Sequence, residues 1–406
     1  MINEFRFGFA YNDQPRNGAT NGNEMAKQLG LVGLAPNLPD INGILKLSFS
    51  NLALTGLTQT DWRHPGFKNY PRQFQEQLSW FRGRHNIKFG GQTSFVRYED
   101  NQAPGNLFGS VNFSNRFTNH PYADFLLGIP TTAARAFPQA YINRTRLSYD
   151  FFLTDDFKVS SKLTINAGIR YEFHPNWTES NSLQSIFDVA TGQIVVSDGA
   201  LGKINPIFPR GYVNVVEAKT LGLPSGTLLK TDRNNWAPRL GLAYRPFGIN
   251  TVIRAGMGFF FDVVPRSVTN GGAPFTVAEP NFTNPTPIPT LLFPQVFPAV
   301  IGNPTTIGLP GAIRTDIRVP FSMQYNFTLE HQRWNTGFRA SYIGTNTRQG
   351  EWGYNINQPV PDSRPFFDKP RPFPNYPGIT YTSNGAGQQP HRRRDKRGSG
   401  SSRVYR

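Results

Sequence analysis

Few residues of the chain are arranged for catalysis or cofactor binding. The adjacent carboxylates Asp155 and Asp156 are the best candidates, because two carboxylates can divide the acid and base roles of a proton transfer. They lie in an alternating apolar and polar segment, however, which favours polar residues that meet water at the end of a strand. Gly256 and Gly258 form a GxG pair, but no helical segment follows them, as a dinucleotide site would require.

Metal-binding and nucleophilic residues are equally sparse. The six His residues are scattered without an HExxH spacing, which argues against a metal site. Cys is absent, which excludes disulfides, thiolate metal sites and Cys nucleophiles, and no Ser stands in a nucleophile elbow. The sequence therefore predicts no catalytic residue, no metal site and no cofactor, and the protein is not expected to be an enzyme.

The net charge of +16 is unevenly distributed along the chain. Such a charge alone suggests nucleic acid or another anionic surface. The last fifteen residues, however, hold seven Arg or Lys and one Asp, and the remaining excess is spread thinly. Residues 387–406 also lack any apolar alternation, so they are predicted to be a basic tail, either disordered or produced by a frameshift. Nucleic acid is therefore not an expected partner.

Alternation of apolar and polar residues is the clearest structural signal. The segment KLTINAGIRYE (162–172) places Leu, Ile, Ala and Tyr on one face of a strand and Thr, Asn, Gly, Arg and Glu on the other. High aromatic, Gly and Pro contents agree with many strands joined by turns. Related patterns occur in residues 4–12, 73–81, 146–153, 239–245, 251–261 and 324–333.

Short and long connections alternate between these predicted strands. Outer-membrane barrels show this asymmetry, with short periplasmic turns and long extracellular loops. The sequence therefore predicts an all-β fold, an antiparallel transmembrane β-barrel architecture with about nine spanning strands. Residues 45–57 and 122–127 are predicted to form structure within the loops, the latter as one or two helical turns. The short turns are 83–85, 159–161, 246–250 and 334–335, and the long loops are 13–71, 101–143, 174–236 and 263–321.

Several of these segments resemble Oar-like TonB-dependent receptors, a family of outer-membrane barrels. They occur in the family's order, and the resemblance covers nearly all of residues 1–386, which are predicted to be one barrel domain. The segments are FQEQLSWFRGRHNIKFGG, RFTNHPYADFLLGIP, SYDFFLTDDFKVSSKLTINAGIRYE, NNWAPRLGLAYRPFG, VIRAGMGFFFD, SMQYNFTLEHQ and ASYIGTN.

The resemblance implies a barrel of about 22 strands that contains an N-terminal plug and imports a ligand with energy from TonB. The present sequence departs from that pattern, because it carries no recognisable plug, TonB box or final strands. Its start, MINEFRFGFA, lacks the charged and apolar regions of a signal peptide. No apolar run is long enough for a transmembrane helix. The resemblance therefore implies a partial barrel, with about nine spanning strands of a larger one, and a fragment of a receptor. The TonB system is expected as a partner of the full-length protein only.

The resemblance also suggests roles for two groups of strand residues. Aromatic residues at strand ends would form girdles at the membrane interfaces, in contact with outer-membrane lipid; the alternative is a packed core. Arginines on the opposite faces would line the lumen or contact a plug, or would simply be solvated there. The candidate girdle residues are Trp80, Phe81, Tyr149, Phe157, Tyr171, Trp236 and Tyr244, and the candidate lumen residues are Arg6, Arg146, Arg170, Arg239, Arg254 and Arg339.

The sequence thus predicts an outer-membrane receptor of a Gram-negative bacterium. Its external loops would bind an unknown small ligand, and its lumen would admit that ligand. Two alternatives remain at this point: an adhesion or structural barrel without transport, and a soluble all-β binding module, such as one for carbohydrate. Loop aromatics and asparagines such as Trp177 and Asn281 could contact a ligand, although no pattern selects them.

Overall fold

A computed structural model describes residues 1–15, 22–34, 41–50, 55–58, 62–102, 106–136, 141–262, 268–276, 279, 281–298, 308–376 and 378–385. The predicted tail, residues 387–406, lies outside these ranges. Within them, nine long strands form one antiparallel sheet, which we call the wall. The strands are β1 (Ile2–Phe9), β2 (Trp62–Arg82), β3 (His85–Gln102), β4 (Ile142–Lys158), β5 (Leu163–Phe173), β6 (Trp236–Tyr244), β7 (Thr251–Phe261), β8 (Phe321–Arg333) and β9 (Thr336–Arg348).

Each wall strand pairs with its neighbours in chain order, which confirms the predicted all-β architecture and its nine spanning strands. Within the described residues, β1 pairs along one edge only, with β2, and β9 pairs only with β8. The sheet is therefore open. Because backbone groups at an open edge cannot remain unpaired in lipid, this wall is a partial barrel that needs further strands to close.

All four short turns lie at one end of the wall. The turn between β2 and β3 uses Gly83, whose φ of +58° suits glycine. Trp334 and Asn335, between β8 and β9, both have positive φ, the conformation of a tight two-residue hairpin turn. The long connections lie at the opposite end. Strands β2, β3 and β4, of 21, 18 and 17 residues, are longer than the roughly ten residues that cross a bilayer.

The long loops are not structureless, and they contain the true hydrophobic cores of the chain. Phe113, Phe187 and Ile194 are fully buried, and each lies in a loop, not in the wall. One core joins Leu31, Leu45, Val111, Phe113, Ala133, Val296 and Phe297, contributed by three separate loops. Two further cores lie on opposite faces of the strands Gln184–Asp188 and Gln193–Val196.

Three small sheets and short helices organise these loops. The helix Pro121–Leu126 confirms the predicted helical turn, and Lys46–Phe49 supplies structure where residues 45–57 predicted it. No helix in the described ranges is long and apolar enough to cross a membrane. The loop strands are Lys46–Phe49, Ser110–Phe113, Thr132–Ala134 and Phe282–Thr283; Gln184–Asp188, Gln193–Val196, Val215–Glu217 and Thr269–Asn270; and Ala312–Ile313, Glu351–Asn355 and Thr380–Asn384.

The remaining short elements flank the wall or the loops. Asn12–Gln14 and Ile41–Asn42 pair with β2, and Thr178–Glu179 pairs with β4. The other helices are Gly22–Gln28 and the 3-10 turns Leu201–Lys203, Ala218–Leu221 and Phe366–Asp368.

Candidate functional site

The wall has one apolar face and one charged face. Phe89 pairs with Leu153, and Leu153 pairs with Ile169, so these three side chains share a face. Between 40% and 50% of each of these three side chains is exposed, although all are large and apolar. A contiguous apolar surface of this kind needs a cover, and no protein layer of the described chain supplies one. We call this surface the apolar face; it is suited to contact with lipid.

Six of the seven candidate girdle residues lie on the apolar face, in one group near the turns and one group near the loops. Near the turns, Phe157 stacks on His85 with ring centroids 4.2 Å apart. Near the loops, Tyr171 and Trp236 are 4.6 Å apart. Trp80 and Tyr244 belong to the turn group, and Tyr149 to the loop group. Their girdle role remains a prediction.

The spacing of the two aromatic groups suits a bilayer. Eight residues separate Tyr149 from Phe157 on β4, and Trp236 from Tyr244 on β6. Eight strand residues span about 26 Å, and strand tilt reduces this to roughly 20 Å across the membrane, close to the apolar band of known barrels. Phe81 does not belong to either group. It pairs with Asn86 on the opposite face, because it directly follows Trp80 along the strand.

Asp155 and Asp156 do not form an acid–base pair, because adjacent strand residues point to opposite faces. Asp155 lies on the apolar face near the turns, where its carboxylate contacts His85 Nδ1 at 2.6 Å. Asp156 lies on the charged face and accepts hydrogen bonds from the amides of Asn86 and Asn166. The two carboxylates therefore cannot act on one substrate.

The six candidate lumen arginines lie on the charged face, in several separate arrangements. Arg6 contacts Glu4 of its own strand. Arg239 lies over Phe260, with its guanidinium carbon 4.6 Å from the ring centre. Arg254 and Arg339 both approach Glu330, at 3.5 and 3.7 Å. The remaining two, Arg146 and Arg170, belong to the groups described next. Whether these side chains line a lumen remains a prediction.

Arg170 is the centre of an ion-pair network. Its guanidinium donates to Asp150 at 2.7 Å and to Glu172 at 3.0 Å, and both carboxylates are buried. His174 Nε2 contacts the other Asp150 oxygen at 2.8 Å. Cross-strand pairing of Asp150 with Glu172 creates this arrangement.

Asp150, Glu172 and His174 are also residues of the types that hold metal ions, and their ligand atoms lie within 4.8 Å of one another. The expectation of no metal site rested on linear spacing, which could not show a group assembled across two strands. Arg170 already provides the positive charge that two buried carboxylates require. The arrangement therefore serves as an ion-pair network in the wall.

Trp177, one of the loop aromatics considered in the sequence, lies beside two arginines of the wall. The Arg146 guanidinium lies 4.9 Å from its ring centre, and that of Arg144 lies 6.0 Å away. Arg144 also lies 4.3 Å from the ring centre of Tyr98. These four residues, which we call the arginine–aromatic cluster, lie on the charged face towards the loops. Two guanidinium groups beside two aromatic faces can bind a planar anion.

Residues 1–391 match the profile of a family described as "Outer membrane beta barrel domain". No curated protein sequence matches the chain.

Solved structures with a similar course of the chain are outer-membrane proteins. The outer membrane transporter YddB from Escherichia coli is 11% identical, with a TM-score of 0.42, covering 84% of this chain and 32% of that one. The siderophore receptor PirA from Acinetobacter baumannii is 9% identical, with a TM-score of 0.34, covering 85% and 36%. The Serratia marcescens hemophore receptor HasR, in complex with HasA and heme, is 11% identical, with a TM-score of 0.33, covering 82% and 39%. The chain thus spans about a third of their length.

Proposed function

Because the chain belongs to the outer membrane β-barrel domain family, we propose that it forms the ligand-binding part of a non-enzymatic outer-membrane receptor wall. The observation that carries the proposal is the division of the wall into an uncovered apolar face and a charged face. The apolar face meets lipid, and the charged face meets the water-filled interior. Long loops at one end provide the external surface on which a ligand is captured.

The arginine–aromatic cluster is the proposed point of ligand contact. Arg146 Nε is buried and has no hydrogen-bond partner within the described residues, so it has donor capacity for a ligand. Trp177 offers a ring between two cations. Anionic and planar groups fit this chemistry best, because a guanidinium binds a carboxylate or a similar anion at two points.

Energy-dependent import is the finer part of the proposal. The resemblance to TonB-dependent receptors supports it, and the step is assigned to a closed barrel that contains this segment together with a plug. The alternative is a receptor that only binds or adheres. The compact cores of the loops support that alternative, because a rigid external surface serves binding without transport.

Fractionation of cells that express the chain tests the placement. Material in the outer membrane whose electrophoretic mobility changes on heating supports the proposal, and a soluble, monodisperse monomer would overturn it. A pyrene sulfonate, as a planar anionic probe, tests the ligand class. The double variant Arg144→Gln/Arg146→Gln should bind it about tenfold more weakly, whereas the charge-matched control Arg254→Gln/Arg339→Gln should bind it as the native chain does. Equal loss in both variants would refute the cluster as the contact point.

A further inference from the structure

The apolar face becomes positively charged just beyond the aromatic group that lies near the loops. Phe74, Thr93 and Tyr149 are neighbours across β2, β3 and β4. Arg72 lies two residues beyond Phe74 on the same face, and Arg97 lies four residues beyond Thr93. These steps correspond to about 7 and 13 Å along the strands. Two cations therefore stand on the lipid side of the wall, directly above the apolar band.

A cavity of about 750 Å³ lies at this position. Arg72 and Arg97 are exposed at its margin, and the half-buried rings of Tyr70 and Phe95 form part of its lining. Thr145 and Ser180 add hydroxyl groups. The lining thus combines two guanidinium groups, the single carboxylate of Glu99, the amide of Asn143, aromatic surface and hydroxyls. Two cations against one carboxylate, beside hydroxyl and aromatic groups, suit a ligand with phosphate, sugar and hydrocarbon parts.

The cavity keeps an excess of positive charge. Arg97 pairs with Glu99 at 2.8 Å, which holds its guanidinium in place, and Lys68 lies 3.7 Å from Asp13. Arg72 has no carboxylate partner among the described residues. Its charge is therefore available to an anion at the level where lipid headgroups lie.

We propose that this cavity binds the phosphate of a phosphorylated glycolipid in the outer leaflet of the outer membrane. Arg72 and Arg97 would hold the phosphate, the hydroxyl groups would contact the sugar, and Tyr70 and Phe95 would contact the start of the acyl chains. A soluble ligand for import would reach the charged face, whereas this cavity opens on the opposite side of the wall. The proposal shares with the proposed function the premise that the apolar face meets lipid, and it is independent of ligand import.

The test measures lipid binding by the chain purified from outer membranes in detergent. Native mass spectrometry would follow titration with a lipid A carrying two phosphates, with the same lipid after dephosphorylation, and with inorganic phosphate. The test variant is Arg72→Gln/Arg97→Gln. The control is Arg254→Gln/Arg339→Gln, which removes the same charge from the other face. Heat-modifiable mobility in the outer membrane, measured for every variant, shows whether the wall has assembled.

The native chain and the control should bind the phosphorylated lipid equally, and the test variant should bind it about tenfold more weakly. Dephosphorylated lipid should bind weakly to all three. Equally weakened lipid binding in the test variant and the control would show general attraction by charge. Tight binding of inorganic phosphate would show a site for free anions. Either result overturns the proposal. A chain absent from the outer membrane would instead refute the proposed function, so the two failures are distinguishable.

Discussion

Arg135 and Glu279 form a two-point ion pair although 144 residues separate them in the chain. Arg135 Nε lies 2.5 Å from one Glu279 oxygen, a second guanidinium nitrogen lies 3.0 Å from the other, and each side chain is only 1% exposed. The same guanidinium donates to the carbonyls of Gly33 and Pro298. The Arg135 side chain thus connects three of the long loops, 13–71, 101–143 and 263–321.

Removing the charge of Glu279 should loosen this loop assembly. Glu279→Gln leaves a buried guanidinium without its counter-charge, which costs about 3–5 kcal/mol in comparable buried pairs. We expect faster proteolysis and faster hydrogen exchange in the loop core around Phe113 and Phe297, with the wall strands unaffected.

Two controls sharpen this prediction. Asp362→Asn breaks the more exposed pair between Asp362 and Arg364 and should cost less than about 1 kcal/mol. The double change Arg135→Met/Glu279→Leu removes both charges together and should recover much of the lost stability. If Glu279→Gln and Asp362→Asn had equal effects, the importance of the buried pair would be refuted.

His85 should be needed to keep Asp155 on the apolar face. In His85→Leu, the Asp155 carboxylate loses its 2.6 Å partner near the turns, on the face that we propose to meet lipid. We expect a loss of about 1–2 kcal/mol in the free energy of unfolding, because the carboxylate is left without its hydrogen-bond partner. Urea titration in lipid vesicles would measure it. The double variant His85→Leu/Asp155→Leu should regain the free energy of unfolding of the native chain. A double variant less stable than either single variant would contradict this explanation.

The loop core around Tyr376 should weaken at alkaline pH. Burial, with a contribution from nearby Tyr212, raises the pKa of Tyr376 from 10.0 to about 12, and its hydroxyl has no hydrogen-bond partner in the described chain. The folded state therefore favours the neutral phenol. The associated stability is complete below pH 10 and declines as pH rises from 10 to 12.

Tyr376→Phe removes this ionisation and should leave stability at neutral pH unchanged or slightly higher, because it deletes an unpaired buried hydroxyl. Hydrogen exchange of the loop core between pH 9 and 12 would measure the difference. The variant should lose less protection than the native chain as pH rises. An identical loss in both proteins would show that Tyr376 is not responsible.

The wall could be predicted from the sequence because its signal is local. In residues 162–172, each side chain faces away from its neighbour, so alternation alone assigns Arg170 to one face and Ile169 to the other. The turns are short and the strands consecutive, so their order follows from the chain. Those two facts yielded the nine strands and their two faces.

The loop cores could not be predicted in the same way. Phe113 is buried by Leu45, Phe125 and Val296, which come from three different parts of the chain, and no periodic pattern connects them. The network of Asp150, Glu172 and His174 could not be predicted either, because only the register between two strands brings these residues together. Sequence placed Arg170 on the correct face, but only the register reveals its two carboxylate partners.

In the proposed receptor wall, the apolar face meets lipid and the charged face meets water. The chain has no Cys, so single cysteines report on their own positions. Phe327 and Asn326 are adjacent in the middle of β8 and lie on the apolar and charged faces respectively. In isolated outer membranes, a membrane-impermeant maleimide should label Asn326→Cys and spare Phe327→Cys, which only a lipid-soluble maleimide should reach. Equal labelling of both positions by the impermeant reagent would contradict the account.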